Sequence, residues 1–171
     1  MKKTALVLMV SLLVMLTGCS NGSSGGGAGS KDFFDLINQI EVGDSLEKIN
    51  EVIGSEGEVR SDNATYTWEN FSAVFRVDDT SAALSVSLLY DNKDVENSKV
   101  KIKDLDALKA KVSEGIFYND FKEYVGGVDG VLVSKNSSTN GFVWRNPNGS
   151  VVDASFRVED NMCNSFVGSG K

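Results

Sequence analysis

The sequence predicts an α+β fold in which two tandem units form one antiparallel sheet with helices on one face. Each unit is a helix–loop–helix followed by four strands, and the units cover residues 31–98 and 99–171. Three observations lead to this prediction: an internal repeat, apolar residues at helical spacing before glycine breaks, and alternating aromatic and polar residues in the segments that follow.

The internal repeat brings both tryptophans of the chain into register. The offset between the aligned segments is 72 residues at first and then grows to 76 and 81. A growing offset indicates insertions in loops, where they are tolerated. We interpret the repeat as a duplication. The aligned segments are 36–54 with 108–126, 66–70 with 142–146, and 73–79 with 154–160.

Two helices are predicted at the start of each unit. Gly43 and Gly115 separate them, and Asp44 or Ser45 can cap the second helix of the first unit. Gly54 and its counterpart Gly126 stand where a left-handed residue commonly ends a helix. The apolar positions at helical spacing are Phe33, Leu36, Ile37, Ile40, Leu46, Ile49, Val52 and Ile53, and in the second unit Leu105, Leu108, Val112, Tyr118, Phe121, Tyr124 and Val125.

Eight strands follow from the alternation of side chains. One predicted face is aromatic and apolar, and we expect the helices to cover it: Tyr66, Trp68, Phe75, Val77, Phe142, Trp144, Phe156 and Val158. The other face is mixed and expected to be open: Thr65, Thr67, Glu69, Val74, Arg76, Val143, Arg145, Asp153, Ser155 and Arg157. The strands are 58–61, 65–69, 73–77, 84–90, 131–135, 141–145, 151–158 and about 164–167.

Two hairpin turns set the predicted register of the strands. A two-residue turn at residues 70–71 would join the second and third strands. Residues 147–149 (Pro-Asn-Gly) suit a type I turn followed by a left-handed glycine. The resulting pairs are Trp68 with Ala73, Tyr66 with Phe75, Trp144 with Val152, and Phe142 with Ala154.

The first 18 residues have the layout of a cleaved export signal. Two lysines precede an apolar run, residues 5–16, that is too short to span a bilayer. The tetrad at 16–19, Leu-Thr-Gly-Cys, resembles the lipobox of bacterial lipoproteins. That resemblance implies that Cys19 carries a diacylglycerol and anchors the chain to the cell membrane outside the cytoplasm, at the outer face if the bacterium has a single membrane.

A tether and an acidic domain are predicted after this signal. Residues 19–30 are the lipidated cysteine and a glycine- and serine-rich linker, which should behave as a flexible coil. Loss of residues 1–18 removes two lysines and changes the net charge from −7 to −9. An acidic surface argues against nucleic acid as a partner.

Catalysis is not expected. The chain has no histidine, the commonest general base and metal ligand. Cys163 would be the one remaining thiol and is expected to be structural. The carboxylate pairs at 78–79 and 159–160, and those at 91–96, are predicted to be solvated, and no glycine-bearing calcium loop surrounds the last group. We therefore expect no cofactor and no metal.

The repeated unit resembles the β-lactamase-inhibitor-protein (BLIP-like) fold. The resemblance covers about residues 33–167 and rests on Gly43, the helix that ends at Gly54, the Tyr-x-Trp and Ala-x-Phe-x-Val strands, and their second copies. It implies binding of a protein partner by the open sheet face and the hairpin loops. The positions carried over are Glu69, Asn70, Phe71, Arg76, Arg145, Asn148, Asp153 and Arg157.

Two alternatives stay open within this resemblance. A single repeat is also similar to envelope lipoproteins of the SmpA/OmlA type, which implies a scaffold with a permanent partner. An inhibitor would instead bind a diffusing enzyme. The loop at 69–72 reads Glu-Asn-Phe-Ser and lacks the aspartate that the known inhibitor inserts into β-lactamase, so inhibition of that enzyme is not expected.

Overall fold

The computed structural model describes residues 30–68 and 71–170, and the side chains of residues 30–32 and 68 are not described. The export signal, Cys19, the linker up to Gly29, Glu69 and Asn70 lie outside the described residues. Within them the protein is an α+β structure with one antiparallel sheet of eight strands, as the sequence predicts. The strands are adjacent in chain order, β1 to β8.

The described residues contain four α-helices, which occur in two pairs. α1 is Ser30–Asn38 and α2 is Leu46–Ile53, whereas α3 is Leu105–Glu114 and α4 is Tyr118–Tyr124. A 3-10 helical turn, Asn92–Val95, lies between β4 and α3.

The helix ends are confirmed where the sequence predicts them. Ser45 caps α2, because its side chain accepts a hydrogen bond from the Lys48 amide. Gly54 ends α2 with φ of 76°, and Gly126 follows α4 with φ of 106°. Both glycines have the positive φ expected after a helix.

The strands agree with the prediction to within a few residues. Along the chain, each helix pair is followed by four strands that form one half of the sheet. The two halves are joined by the pairing of β4 with β5. The strands are β1 Glu58–Arg60, β2 Asn63–Trp68, β3 Phe71–Val77, β4 Ala83–Leu89, β5 Val131–Asn136, β6 Thr139–Arg145, β7 Val151–Arg157 and β8 Cys163–Ser169.

The register of the second hairpin is confirmed and that of the first is corrected. Phe142 lies opposite Ala154, as predicted, and Gly149 has φ of 96° in the turn. Tyr66, however, lies opposite Ala73 rather than Phe75, since β3 already begins at Phe71. This shift of two residues leaves every side chain on its predicted face, because side chains alternate with a period of two.

Two apolar clusters lie between the helices and one face of the sheet. In the first, Phe33, Ile37 and Ile49 of the helices join Phe75 of β3. The second cluster joins Leu108 and Phe121 of the helices to Val152 and other residues of the sheet: Trp144, Ala154 and Phe156. Strand pairing places these sheet residues on one face of the sheet. The predicted aromatic face is therefore the helix-covered face, and all but one of its residues with a described side chain lie there.

The predicted exposure is wrong for two residues, one on each face. Val158 is 47% exposed because β7 ends at Arg157 and the chain leaves the sheet there. Val143 is on the mixed face and yet is 2% exposed. It lies between Arg145 on its own strand and Asp153, its partner in the register.

Candidate binding face

The mixed face of the sheet lacks a described helix over it, and we call it the open face. Small hydroxyl side chains dominate its central row, which follows one register line across seven strands. Since none of the core clusters includes these residues, the row remains available to solvent or to a partner. It consists of Thr65, Val74, Ser87, Ser134, Gly141, Ser155 and Ser165.

Gly141 lies at a shallow depression of about 200 Å³ in the open face. A Cβ atom at this position would lie 2.3 Å from the Ser134 hydroxyl, so only glycine leaves this hydroxyl in place. The hydroxyls of Ser155 and Ser165 lie 2.7 Å apart at the border of the depression. A residue of a partner can therefore approach the backbone closely here.

Two large apolar side chains lie exposed in the neighbouring row. Leu89 of β4 is 63% exposed and Val167 of β8 is 71% exposed. Their register partners, Ser72 and Asp153, place both on the open face. Both side chains are therefore available for apolar contact with a partner at the open face.

Arg76 and Arg157 lie towards one end of the open face, and each has an acidic partner. Arg76 Nε lies 3.2 Å from an oxygen of Asp62, and both side chains are largely exposed. Arg157 makes two hydrogen bonds to the Asp160 carboxylate, one of them 3.1 Å long. The pairing favours the interpretation that these arginines are solvated ion pairs, although both remain within reach of a ligand.

Arg145 is corrected from an open-face anchor to a largely buried side chain. Its side chain is 21% exposed, and its Nε is buried without a hydrogen-bond partner in the described structure. The nearest carboxylate oxygen is that of Glu96, at 3.9 Å. The chain after the 3-10 turn runs beside the end of β6 here, where the Asn97 amide donates to the Arg145 carbonyl, and this contact buries Arg145.

Asp153 stands exposed beside this arginine. Desolvation raises the pKa of its carboxyl group, and the Arg145 guanidinium partly offsets the rise. Tyr90 shares this environment, since burial raises the pKa of its hydroxyl, Asp153 raises it further and Arg145 lowers it. Asp153 is therefore an acidic group that the open face presents next to Val167.

Phe71 is the second correction among the predicted binding residues. It is 7% exposed and its ring centroid lies 4.1 Å from that of Phe33. Because β3 begins at Phe71, its side chain shares the helix-covered face with Ala73 and Phe75. It is a core residue. Glu69 and Asn70, on the same hairpin, lie outside the described residues.

Asn148 lies where predicted, in the exposed β6–β7 turn, but its polar atoms serve the turn itself. Its side chain accepts a hydrogen bond of 2.8 Å from the Ser150 amide, and its own amide donates to Asn146. The predicted residues that lie on the open face are thus Arg76 on β3, and Asp153 and Arg157 on β7. Thr65, Val74 and Ser155 of the hydroxyl row were predicted on this face. The other members of the row, Leu89 and Val167 were missed, although the alternation of strands 84–90 and 164–167 already contained part of that signal.

Cys163 is partly buried against the second core cluster, close to its predicted structural role. Burial raises the pKa of its thiol to about 11, and the thiol lies 3.4 Å from the Ser165 carbonyl oxygen. A thiol in this state is a poor nucleophile at neutral pH.

Residues 30–68 and 71–170 include no helix with the length and hydropathy of a membrane span. In the same part of the chain, no three Cys, Asp or Glu side chains are grouped as metal ligands would be. Neither the protein-family models nor the curated proteins compared with the chain give a match.

Proposed function

We propose that this protein is a lipid-anchored, non-catalytic binding module of the bacterial envelope. Cys19 carries the lipid, and the domain binds a partner protein with its open sheet face. The observation that carries the binding proposal is the open face itself: a row of hydroxyl groups bordered by Leu89 and Val167, which are both more than 60% exposed. Leu89 on β4 and Val167 on β8 would give a partner two separate apolar contacts on the same face as the hydroxyl groups.

The anchor rests on the sequence alone. A positive start, a short apolar run and the Leu-Thr-Gly-Cys tetrad all agree with a lipobox. Two acyl chains bury enough methylene groups, at about 0.8 kcal/mol each, to hold the chain stably at a bilayer. The linker that follows would keep the domain near the membrane without fixing its orientation.

A BLIP-like tandem repeat is the finer fold that we propose. Supporting it, the pair Tyr66 and Ala73 corresponds in both alignment and register to the pair Phe142 and Ala154. The left-handed Gly54 and Gly126 also occupy matching positions. An experimental structure in which Cα atoms of 46–77 and the aligned part of 118–158 fail to superimpose would contradict the duplication.

The absence of catalysis is likewise a proposal. Its support is that the chain has no histidine, the commonest general base, and that burial raises the pKa of the Cys163 thiol to about 11, which makes this cysteine a poor nucleophile. Hydrolysis of ester, glycoside or peptide substrates by the purified chain, abolished by one side-chain substitution, would contradict it.

Fractionation tests the anchor. We expect Cys19→Ala to move the protein from the membrane fraction to the soluble fraction and to abolish labelling by radioactive palmitate. Ser20→Ala, one residue further on, is the matched control and should change neither. A Cys19→Ala variant that still takes up palmitate would refute the anchor.

Site-specific photocrosslinking tests the binding face. A photoreactive residue at Leu89 or Val167 should capture one defined protein in living cells, whereas the same residue at Glu51 on α2 should not. With the photoreactive residue at Ser87 of the hydroxyl row instead, the same protein should be captured, and Leu89→Asp with Val167→Asp should abolish that capture while the far-UV circular dichroism stays unchanged. Equal capture from both faces would overturn the proposal.

The two roles that remain open differ in the captured protein. A stoichiometric membrane complex, recovered also by mild chemical crosslinking, would indicate a scaffold like the SmpA/OmlA lipoproteins. A soluble enzyme whose activity falls on binding would indicate an inhibitor.

A further inference from the structure

A groove of about 770 Å³ lies on the helix-covered side of the sheet, between the two halves. One wall is α1, and the other is formed by α4, the loop that follows it and the chain around the 3-10 turn. Its floor is formed by β5 and β6, where Leu132 lies opposite Phe142. This volume is typical of a ligand-binding cleft.

The inner surface of the groove is apolar and aromatic. Phe34 of α1 and Tyr118 of α4 face it from opposite walls, above Leu132 and Phe142. The rings of Tyr118 and Phe142 lie 4.9 Å apart, so one wall and the floor form a continuous aromatic surface. Such a surface buries a branched or aromatic side chain of a ligand favourably.

The rim of the groove is acidic. Asp35, Asp94, Glu96 and Asp129 line it, and no lysine or arginine is among its lining residues. Two of the four carboxylates form ion pairs with basic side chains: Asp129 lies 2.7 Å from Lys122 Nζ, and Glu96 lies 3.9 Å from Arg145 Nε. Among the described residues no ion pair involves Asp35 or Asp94, so the rim has a net charge of about −2.

We propose that this groove binds a short basic peptide segment of a partner protein. An apolar side chain of the segment lies against Phe34, Leu132 and Phe142, and a lysine or arginine on either side of it meets the rim. The negative net charge of the chain, −7, attracts such a segment from a distance. A neutral apolar ligand would leave Asp35 and Asp94, for which the described residues provide no ion-pair partner, without a counter-charge, and an acidic ligand would be repelled.

This inference goes beyond the binding module proposed above, because the groove and the open face lie on opposite sides of the sheet. Asn140 and Phe142 point to the helix-covered side, as their register partners Phe156 and Ala154 show. Substitutions on the two sides can therefore be assayed separately.

Fluorescence anisotropy with three labelled octapeptides tests the proposal on the full chain. The first peptide alternates lysine with leucine and phenylalanine, the second has glutamate for lysine, and the third has serine for leucine and phenylalanine. At low salt the first should bind at least about tenfold more tightly than either of the others.

Paired charge variants locate the site. Asp35→Asn with Asp94→Asn should weaken binding of the first peptide about tenfold, as expected for two partly exposed charge contacts. Asparagine at position 94 keeps the oxygen that accepts the Asp91 amide. Glu47→Gln with Glu51→Gln, on the exposed side of α2, changes the net charge equally and should leave the affinity unchanged.

A third variant tests the groove without a change of charge. Asn38→Trp places a large side chain at the rim from the exposed side of α1 and should abolish binding of the first peptide. The open-face variant Leu89→Asp with Val167→Asp should not. Equal weakening by the groove and control charge pairs, equal affinity for the basic and acidic peptides, or no binding of the first peptide at 1 mM, on the order of the weakest specific affinities, would each overturn the proposal.

Discussion

The indole Nε1 of Trp144 donates a hydrogen bond of 2.9 Å to the backbone carbonyl of Val128, from a side chain that is 1% exposed. The ring lies 5.1 Å from that of Phe121, centroid to centroid, inside the second core cluster. Both the apolar body and the polar atom of Trp144 are therefore satisfied within the protein. Trp144 is a core residue, in agreement with the prediction from its sheet face.

Truncation of Trp144 should be costly. We expect Trp144→Ala to lower the free energy of unfolding by about 3–5 kcal/mol, because it empties the centre of the cluster. Trp144→Phe keeps a ring but leaves the Val128 carbonyl without its donor, so a smaller loss of about 1–3 kcal/mol is expected. Urea unfolding monitored by circular dichroism measures both. A loss below about 1 kcal/mol for the alanine variant would place the indole outside the core.

Lys135 of the second half makes a buried hydrogen bond to the first half of the domain. It lies on β5, is 7% exposed, and its Nζ donates to the Ile40 carbonyl just after α1. Desolvation lowers the pKa of this amine, and the nearby carboxylates of Glu41 and Asp44 partly offset the effect. A folded-state pKa below the unfolded value of about 10.5 means that the unfolded chain binds more protons in between.

The stability of the protein should therefore rise with pH in that interval. Relative to Lys135→Met, the wild-type free energy of unfolding should increase from the lowered folded pKa up to about pH 10.5, and decrease as the pH falls through that folded pKa. Urea titrations at a series of pH values measure the difference. Lys109→Met, at an exposed position of α3, is the control. A difference between wild type and Lys135→Met that does not change with pH would be inconsistent with a shifted pKa.

The two helix-ending glycines should differ in their tolerance of alanine. Both have positive φ, but a Cβ atom at Gly54 meets nothing within 4 Å, whereas one at Gly126 lies 2.6 Å from the Lys99 carbonyl oxygen. Gly54→Ala should cost about 1 kcal/mol for the left-handed backbone alone. Gly126→Ala should cost roughly a further 1 kcal/mol or more, since the backbone must also move. Thermal and urea unfolding would show equal losses if the close contact were absent.

Cys163 should react slowly with alkylating reagents. With a thiol pKa of about 11, the rate of iodoacetamide labelling should still be rising with pH at pH 10. Mass spectrometry of the peptide that contains Cys163 measures the rate separately from Cys19. The unfolded chain in urea is the control and should label with an ordinary cysteine profile. A native rate that levels off near pH 8.5 would contradict the burial of the thiol.

Much of the fold could be predicted because local signals agree with one another. The Ser45 cap, the left-handed Gly54 and the Pro-Asn-Gly turn each specify the backbone within a few residues. Strand alternation separated the helix-covered face from the open one. Even the misplaced turn at residues 70–71 left the faces intact, because it shifted the register by an even number of residues.

The binding residues were predicted less well. The alternation of side chains assigns each residue to a face of the sheet, but it does not indicate which other segments of the chain cover that face. Phe71 belongs to the core since β3 begins one residue earlier than the assumed turn allows. Arg145 is on the predicted face, but the segment after the 3-10 turn runs beside it and buries its Nε. Sequence spacing contains no information about that contact, which joins residues about 50 positions apart along the chain.

By itself, then, the sequence determined the number and order of the helices and strands, the side of the sheet that each strand residue faces, and the acidic, histidine-free character of the domain. Only the tertiary structure decided that α1 of the first half would lie over β5 of the second, that Lys135 would be buried against the Ile40 carbonyl, and that a groove with an acidic rim would open between the halves. The spacing of apolar residues within a helix or strand indicates which side of that segment is buried, but not which distant segment buries it. The pairing of β4 with β5, which brings the halves together, is a contact between distant segments whose energy depends on both of them.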